Sequence, residues 1–89
     1  MQISIIYSDD ALRQLKKLDG AVSKRIMFKI IDNASQSNPL ARAKALQGDL
    51  SGKYRYRIGD YRAIFIIDDE GKITLLTILN IKHRKDIYR

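Results

Sequence analysis

The chain has 89 residues, 45% hydrophobic and 30% charged, with Lys and Arg numbering 17 against 10 acidic residues for a net charge of +7. That length builds one domain around one core, and the composition is too apolar for a disordered tail. Cys is absent and His is single, which excludes a disulfide framework, a thiolate nucleophile and a zinc centre; no apolar run approaches the roughly 18 residues of a membrane span and no cationic leader precedes the first strand pattern, so the expectation is a cytoplasmic protein without metal or cofactor.

Gln2 to Tyr7 carries Ile3, Ile5 and Ile6 and reads as a short first strand. Ser8 follows as an N-cap, with Asp9 and Asp10 in the first turn, where the helix dipole favours carboxylates. Ala11, Leu12, Leu15 and Leu18 then recur at helical spacing, with Arg13, Lys16 and Lys17 opposite, as an amphipathic helix of about three turns. Asp19-Gly20 interrupts it. Val22, Ile26, Met27, Ile30, Ile31 and Ala34 mark a longer second helix that stops before Ser37-Asn38-Pro39, and the two make an αα-hairpin. Ala41 to Leu50 reads as a linker, broken by Gly48 with Gly52 close behind. From Lys53 the period changes to two: Tyr54 to Ile58 is a strand, Gly59-Asp60 a hairpin turn, Tyr61 to Ile67 the return strand, Asp68 to Gly71 a second turn and Lys72 to Ile81 the last long strand. The order β-α-α-β-β-β makes residues 1–89 a single α+β domain, in which the N-terminal strand and the αα-hairpin pack on an antiparallel sheet.

Alternation along a strand puts Arg55 and Arg57 on one face and Tyr54, Tyr56 and Ile58 on the other. A cationic face backed by core suits a polyanion, and nucleic acid is the expected one. Arg62 joins that face if the hairpin is tight. Tyr54 and Tyr56 read as core or interface residues. Leu75, Thr77, Leu79 and Ile81 alternate with Leu76 and Ile78, and Ala63, Phe65 and Ile67 with Ile64 and Ile66, so both sheet faces are apolar. Either the domain covers both faces itself, or a partner chain covers part of the second.

The element order, together with Tyr54-Arg-Tyr-Arg57, Gly59-Asp-Tyr-Arg62 and His83-Arg-Lys-Asp-Ile-Tyr88, resembles the RelE/ParE superfamily of toxin–antitoxin toxins, and its RelE branch most closely. The resemblance spans essentially the whole chain, with its specific part in residues 53–89. It implies a RelE-like fold related to small microbial ribonucleases. It further implies a ribosome-dependent endoribonuclease that cuts mRNA in the A site without metal and so inhibits translation, and a co-encoded, RelB-like antitoxin that wraps the toxin. Arg62 matches the arginine of the family's Tyr-Arg pair. The chain departs from the best-described RelE pattern in having Arg55 and Arg57 where that pattern has lysines, and Lys82 where it has an arginine.

Metal-free RNA cleavage uses the ribose 2′-OH as nucleophile and leaves a 2′,3′-cyclic phosphate, so it needs a base, an acid and cations for the phosphorane charge. Arg55, Arg57 and Arg62 supply the cations, Arg62 foremost, but a guanidinium cannot serve as a base. His83 is the one side chain that ordinarily titrates near neutrality, and it reads either as the proton-transfer group or as a solvated residue between Lys82 and Arg84. Tyr88 either packs the C-terminus on the sheet or stacks on an mRNA base, as the resemblance implies. Lys53, Lys82, Arg84 and Lys85 read as RNA-binding residues that position phosphates. The alternative within the same superfamily is a ParE-like toxin that binds and inhibits DNA gyrase and cuts nothing.

Overall fold

In the computed structural model, which describes residues 3–68 and 71–87, the chain forms β1 (Ser4–Tyr7), α1 (Asp9–Lys16), α2 (Gly20–Ala34), β2 (Ala43–Ala45), a 3-10 turn (Gly48–Leu50), β3 (Tyr54–Ile58), β4 (Tyr61–Ile67), β5 (Leu75–His83) and α3 (Arg84–Ile87). The strands make one sheet in the order β1-β5-β4-β3-β2, with β1 parallel to β5 and the other pairs antiparallel. The α+β class and the two-layer packing hold. The linker expectation is corrected. The segment expected as a linker contains β2, whose Ala43 to Ala45 pair with Tyr56 to Tyr54; three residues are too few to display a period of two. The helical hairpin also carries the chain across the sheet, so β1 lies parallel beside the last strand.

The Ser8 side chain caps α1, accepting from the Ala11 N–H at 3.0 Å, and Asp9 and Asp10 occupy the first turn. The helix has 8 residues, closer to two turns than three, and Leu18 lies beyond it. It buries Ala11 and Leu15, while α2 buries Ile26, Ile30 and Ala34. These side chains meet Tyr56, Phe65, Leu76, Ile78 and Ile81 in a single core. Tyr56 and Phe65 pack ring to ring at 4.4 Å. The Tyr56 hydroxyl donates to the Pro39 carbonyl at 2.6 Å, and burial pushes its pKa up to about 12. Tyr56 is therefore a core residue, as is Tyr54, stacked on Phe65 at 5.9 Å.

A β-bulge decides which residues leave the core. Ile64 pairs with Asn80 and Phe65 with Ile78, so Leu79 is the extra residue on β5. Before the bulge Leu76 and Ile78 face the helices; after it Ile81 does. The expected alternation of Leu75, Thr77, Leu79 and Ile81 along one face is thus corrected, because the bulge shifts the phase by one residue. Side chains of α1 service the kink. Ser8 Oγ donates to the Leu79 carbonyl at 2.7 Å, and Gln14 Oε1 accepts from the Ile81 N–H at 2.6 Å.

The face away from the core carries three cross-strand rows. Ile6, Thr77 and Ile66 form the first; Lys44, Arg55 and Ile64 the second; Arg57, Arg62 and Lys82 the third. Ile6 and Ile66 are 51% and 37% exposed, so the domain leaves the apolar end of this face open. No helix among the described residues is long and apolar enough to cross a membrane.

Candidate nucleic-acid interface

Directly opposed residues of an antiparallel pair project to the same face with Cβ atoms about 5 Å apart. Arg57 opposes Arg62 and Arg62 opposes Lys82, so three cations stand in line across β3, β4 and β5. The β5 bulge is what places Lys82 there, since without the extra Leu79 it would point to the core side. Like charges in opposition destabilise a sheet. The ion pairs found among the described residues, Arg13–Asp10, Arg42–Asp32 and Arg84–Asp60, engage no member of the row.

The row has an exposed rim and a buried centre. Arg57 is open to solvent and Lys82 half-buried, whereas Arg62 is only 2% exposed. Its Nη1 donates to the carbonyls of Gly59 and Tyr61 at 3.0 and 2.9 Å. Its buried Nε has no partner. The turn glycine, at φ 59°, holds the left-handed backbone that the Gly59-Asp60 hairpin requires. Arg62 is thereby fixed by two carbonyls of its own hairpin, with a buried positive charge that no described carboxylate neutralises. Such a charge is costly unless an anion arrives to pair with it. Arg55, half-buried on the same face, stands between Lys44 and Ile64.

His83 lies elsewhere. It opposes Tyr61 on the core-side face at the end of β5, with the rings edge-on at 5.2 Å and 87°. Its Nδ1 accepts from the Lys85 backbone N–H at 3.2 Å, so the neutral ring carries its proton on Nε2. Arg84 donates its backbone N–H to the Asp60 carbonyl at 2.7 Å, and its side chain reaches the Asp60 carboxylate at 3.6 Å. Together these contacts tie α3 to the β3–β4 turn, next to the row. Lys85 is exposed on α3, while Lys53 precedes β3 at the end remote from Arg57. Tyr88 lies outside the described residues. Among the described residues no cluster of His, Cys, Asp or Glu could hold a metal ion.

The family model described as the ParE toxin of type II toxin–antitoxin systems, parDE, matches residues 5–88. The chain belongs to this family. This ParE-family chain is 34% identical over 89 residues to the toxin RelG of Mycobacterium tuberculosis, covering 100% of its own length and 99% of that protein. The crystal structure of the toxin–antitoxin complex RelBE2 from the same organism matches with a TM-score of 0.82 at 30% identity, over 94% of this chain and 93% of that one. The RelE–RelB complex from Pyrococcus horikoshii matches with a TM-score of 0.69 at 24% identity, over 94% and 97% of the two chains, a likeness of fold. The protein is a toxin of a type II toxin–antitoxin system, in the RelE/ParE superfamily.

In this ParE-family toxin, Arg55, Arg57, Arg62 and Lys82 share one face. His83 stands on the other face at the strand end. Lys44, which opposes Arg55, belongs to the same surface, and it was hidden in the sequence because its strand is too short to show a period.

Proposed function

We propose that this toxin is a cytoplasmic, ribosome-dependent mRNA endoribonuclease that works without metal and inhibits translation. One observation carries the reading: the row Arg57–Arg62–Lys82, with Arg55 beside it, concentrates cations that no described carboxylate neutralises. A scissile phosphate lying across the row meets Arg57 and Lys82 at its sides and Arg62 beneath. As the 2′-OH attacks phosphorus and the 5′-oxygen leaves, the negative charge growing on the phosphorane oxygens falls among donors fixed in advance. The arginines cannot accept the proton that the 2′-OH loses, so in this reading water takes it, and His83 gives a proton to the leaving 5′-oxygen as the imidazolium, reaching it around the end of β5, where α3 begins. A ribosome that holds the mRNA in register supplies positioning, a contribution that reaches about 7–11 kcal/mol in favourable cases.

An antitoxin is the proposed partner. The solved complexes that this chain resembles are pairs of toxin and antitoxin, and the open row Ile6–Thr77–Ile66 offers apolar area for such a chain to cover.

The test is induced expression with mapping of mRNA 5′ ends in the presence and absence of translation. Cuts that require translation, and that vanish in Arg62→Ala while that variant still binds antitoxin, support the assignment; undiminished cuts in Arg62→Ala remove it. A second reading, a gyrase inhibitor that leaves RNA intact, draws on the ParE family model spanning residues 5–88. Inhibited supercoiling by purified toxin, with mRNA uncut, would establish it in place of the first.

A further inference from the structure

Past Arg57 the cationic surface does not stop. β2 pairs with β3 only as far as Tyr56, so the outer edge of Arg57 and Ile58 has no neighbouring strand. There, between that edge and α2, an open cavity of about 370 Å³ is lined by Arg25, Lys29, Asp32, Arg42 and Arg57 above Asn33. Arg25 and Lys29 are four residues apart on α2, hence on one helical face. The only carboxylate in this lining is Asp32, which Arg42 already engages at 3.1 Å. Arg42 also donates to the buried Asn33 side chain at 3.3 Å, which holds its guanidinium over the cavity floor. Four cations against one carboxylate leave a net charge of +3 around an open concavity. Like charges four apart on a helix cost a few tenths of a kcal/mol, and here the helix gains no counter-ion for Arg25 or Lys29 among the described residues.

We propose that this cavity is a second phosphate site, which binds an RNA phosphodiester beside the one held by the row Arg57–Arg62–Lys82. The inference rests on the ribonuclease reading for its choice of ligand. Arg57 belongs to both sites, so the two form one track, running across β5, β4 and β3 and over the sheet edge onto α2. An RNA strand laid across the row leaves it past Arg57 and meets Arg25, Lys29 and Arg42 next. Arginines suit this contact because their planar donors pair two phosphate oxygens at once. An acidic protein segment is the competing occupant, but only a strand that already lies on the row gains from the sharing of Arg57.

Arg25→Ala/Lys29→Ala tests the site without touching the core, since both side chains are exposed on α2. The full-length toxin is titrated, at several salt concentrations, with a short single-stranded RNA blocked by 2′-O-methylation and with vacant ribosomes. Loss of this one phosphate contact reduces the slope of log K against log salt by about 0.7 on the single strand, whatever the RNA sequence. A reduction on the oligonucleotide assigns the phosphate to mRNA; a reduction on ribosomes alone assigns it to ribosomal RNA. Asp32→Asn removes the one negative charge and frees Arg42, so it tightens binding to the same probe, a gain that misfolding cannot imitate. Unchanged slopes on both probes overturn the proposal, as does a double variant that loses only antitoxin binding. A wild-type toxin that cuts no mRNA, yet shows a slope that the double variant flattens, keeps this site and removes the nuclease reading. Normal cutting with unchanged slopes does the reverse.

Discussion

Arg57 and Arg62 oppose each other on adjacent strands, yet the two charges are held in different ways. Arg57 extends into solvent, whereas Arg62 is buried and anchored through Nη1 to its own turn. Truncation should separate the two roles. On the proposed ribonuclease reading, Arg57→Ala removes one donor to the phosphorane, for which losses of about 10²- to 10³-fold in rate are typical, and an exposed site changes stability by no more than about 0.5 kcal/mol. Arg62→Ala lowers the rate too, but it also deletes a buried charge without a described counter-ion together with its two bonds to the turn, so it shifts thermal stability by more than Arg57→Ala does. Single-turnover cutting on programmed ribosomes and thermal unfolding measure the two; equal destabilisation by both variants would refute the division. Tyr56 offers a different check. Burial raises its folded-state pKa from 10.0 to about 12, so its protonated form is favoured in the fold. The associated stability is fully present below pH 10 and is lost as pH rises from about 10 to about 12. Tyr7, also raised by burial, acts in the same sense. Tyr56→Phe should flatten stability against pH in that alkaline window, at a cost of about 1 kcal/mol at neutral pH from the lost bond to Pro39. A variant that keeps the full alkaline decline would disprove the attribution.

Among the elements, β3 and β4 were legible to the residue: alternation begins at Tyr54, and Gly59-Asp60 can only be a turn between two apolar runs. The bulge in β5 was not. An extra residue in a strand leaves no mark in composition, and Leu79 is as apolar as its neighbours. What stabilises the kink is remote in sequence, in Ser8 and Gln14. The consequence for the site is direct, because the bulge sets Lys82 beside Arg62. Gln14→Ala strands the Ile81 N–H and should cost about 1–3 kcal/mol; Gln14→Glu, which keeps the acceptor, should recover most of it. Denaturant unfolding of the two variants decides this. Similar losses in both would show that the hydrogen bond to Ile81 contributes little.

For the whole molecule, a net charge of +7 raises the expectation of a polyanion partner but does not say where the charge sits. The fold sorts it. α1 and α2 cover one face of the sheet, and the other grades from the apolar row Ile6–Thr77–Ile66 to the cationic row Arg57–Arg62–Lys82. Cation placement was readable only through alternation, so Arg55 and Arg57 were found, while Lys44 and Arg42, in a segment without periodicity, were not. If placement and not net charge governs binding, two variants that each remove one positive charge must differ. Arg57→Ala should flatten the salt dependence of binding to single-stranded RNA by about 0.7 in log–log slope, the increment for one phosphate contact. Lys16→Ala, exposed on the solvent side of α1, should leave that slope unchanged. Equal flattening by both would mean that the protein holds RNA as a diffuse cation, and the row would lose its claim to be a site.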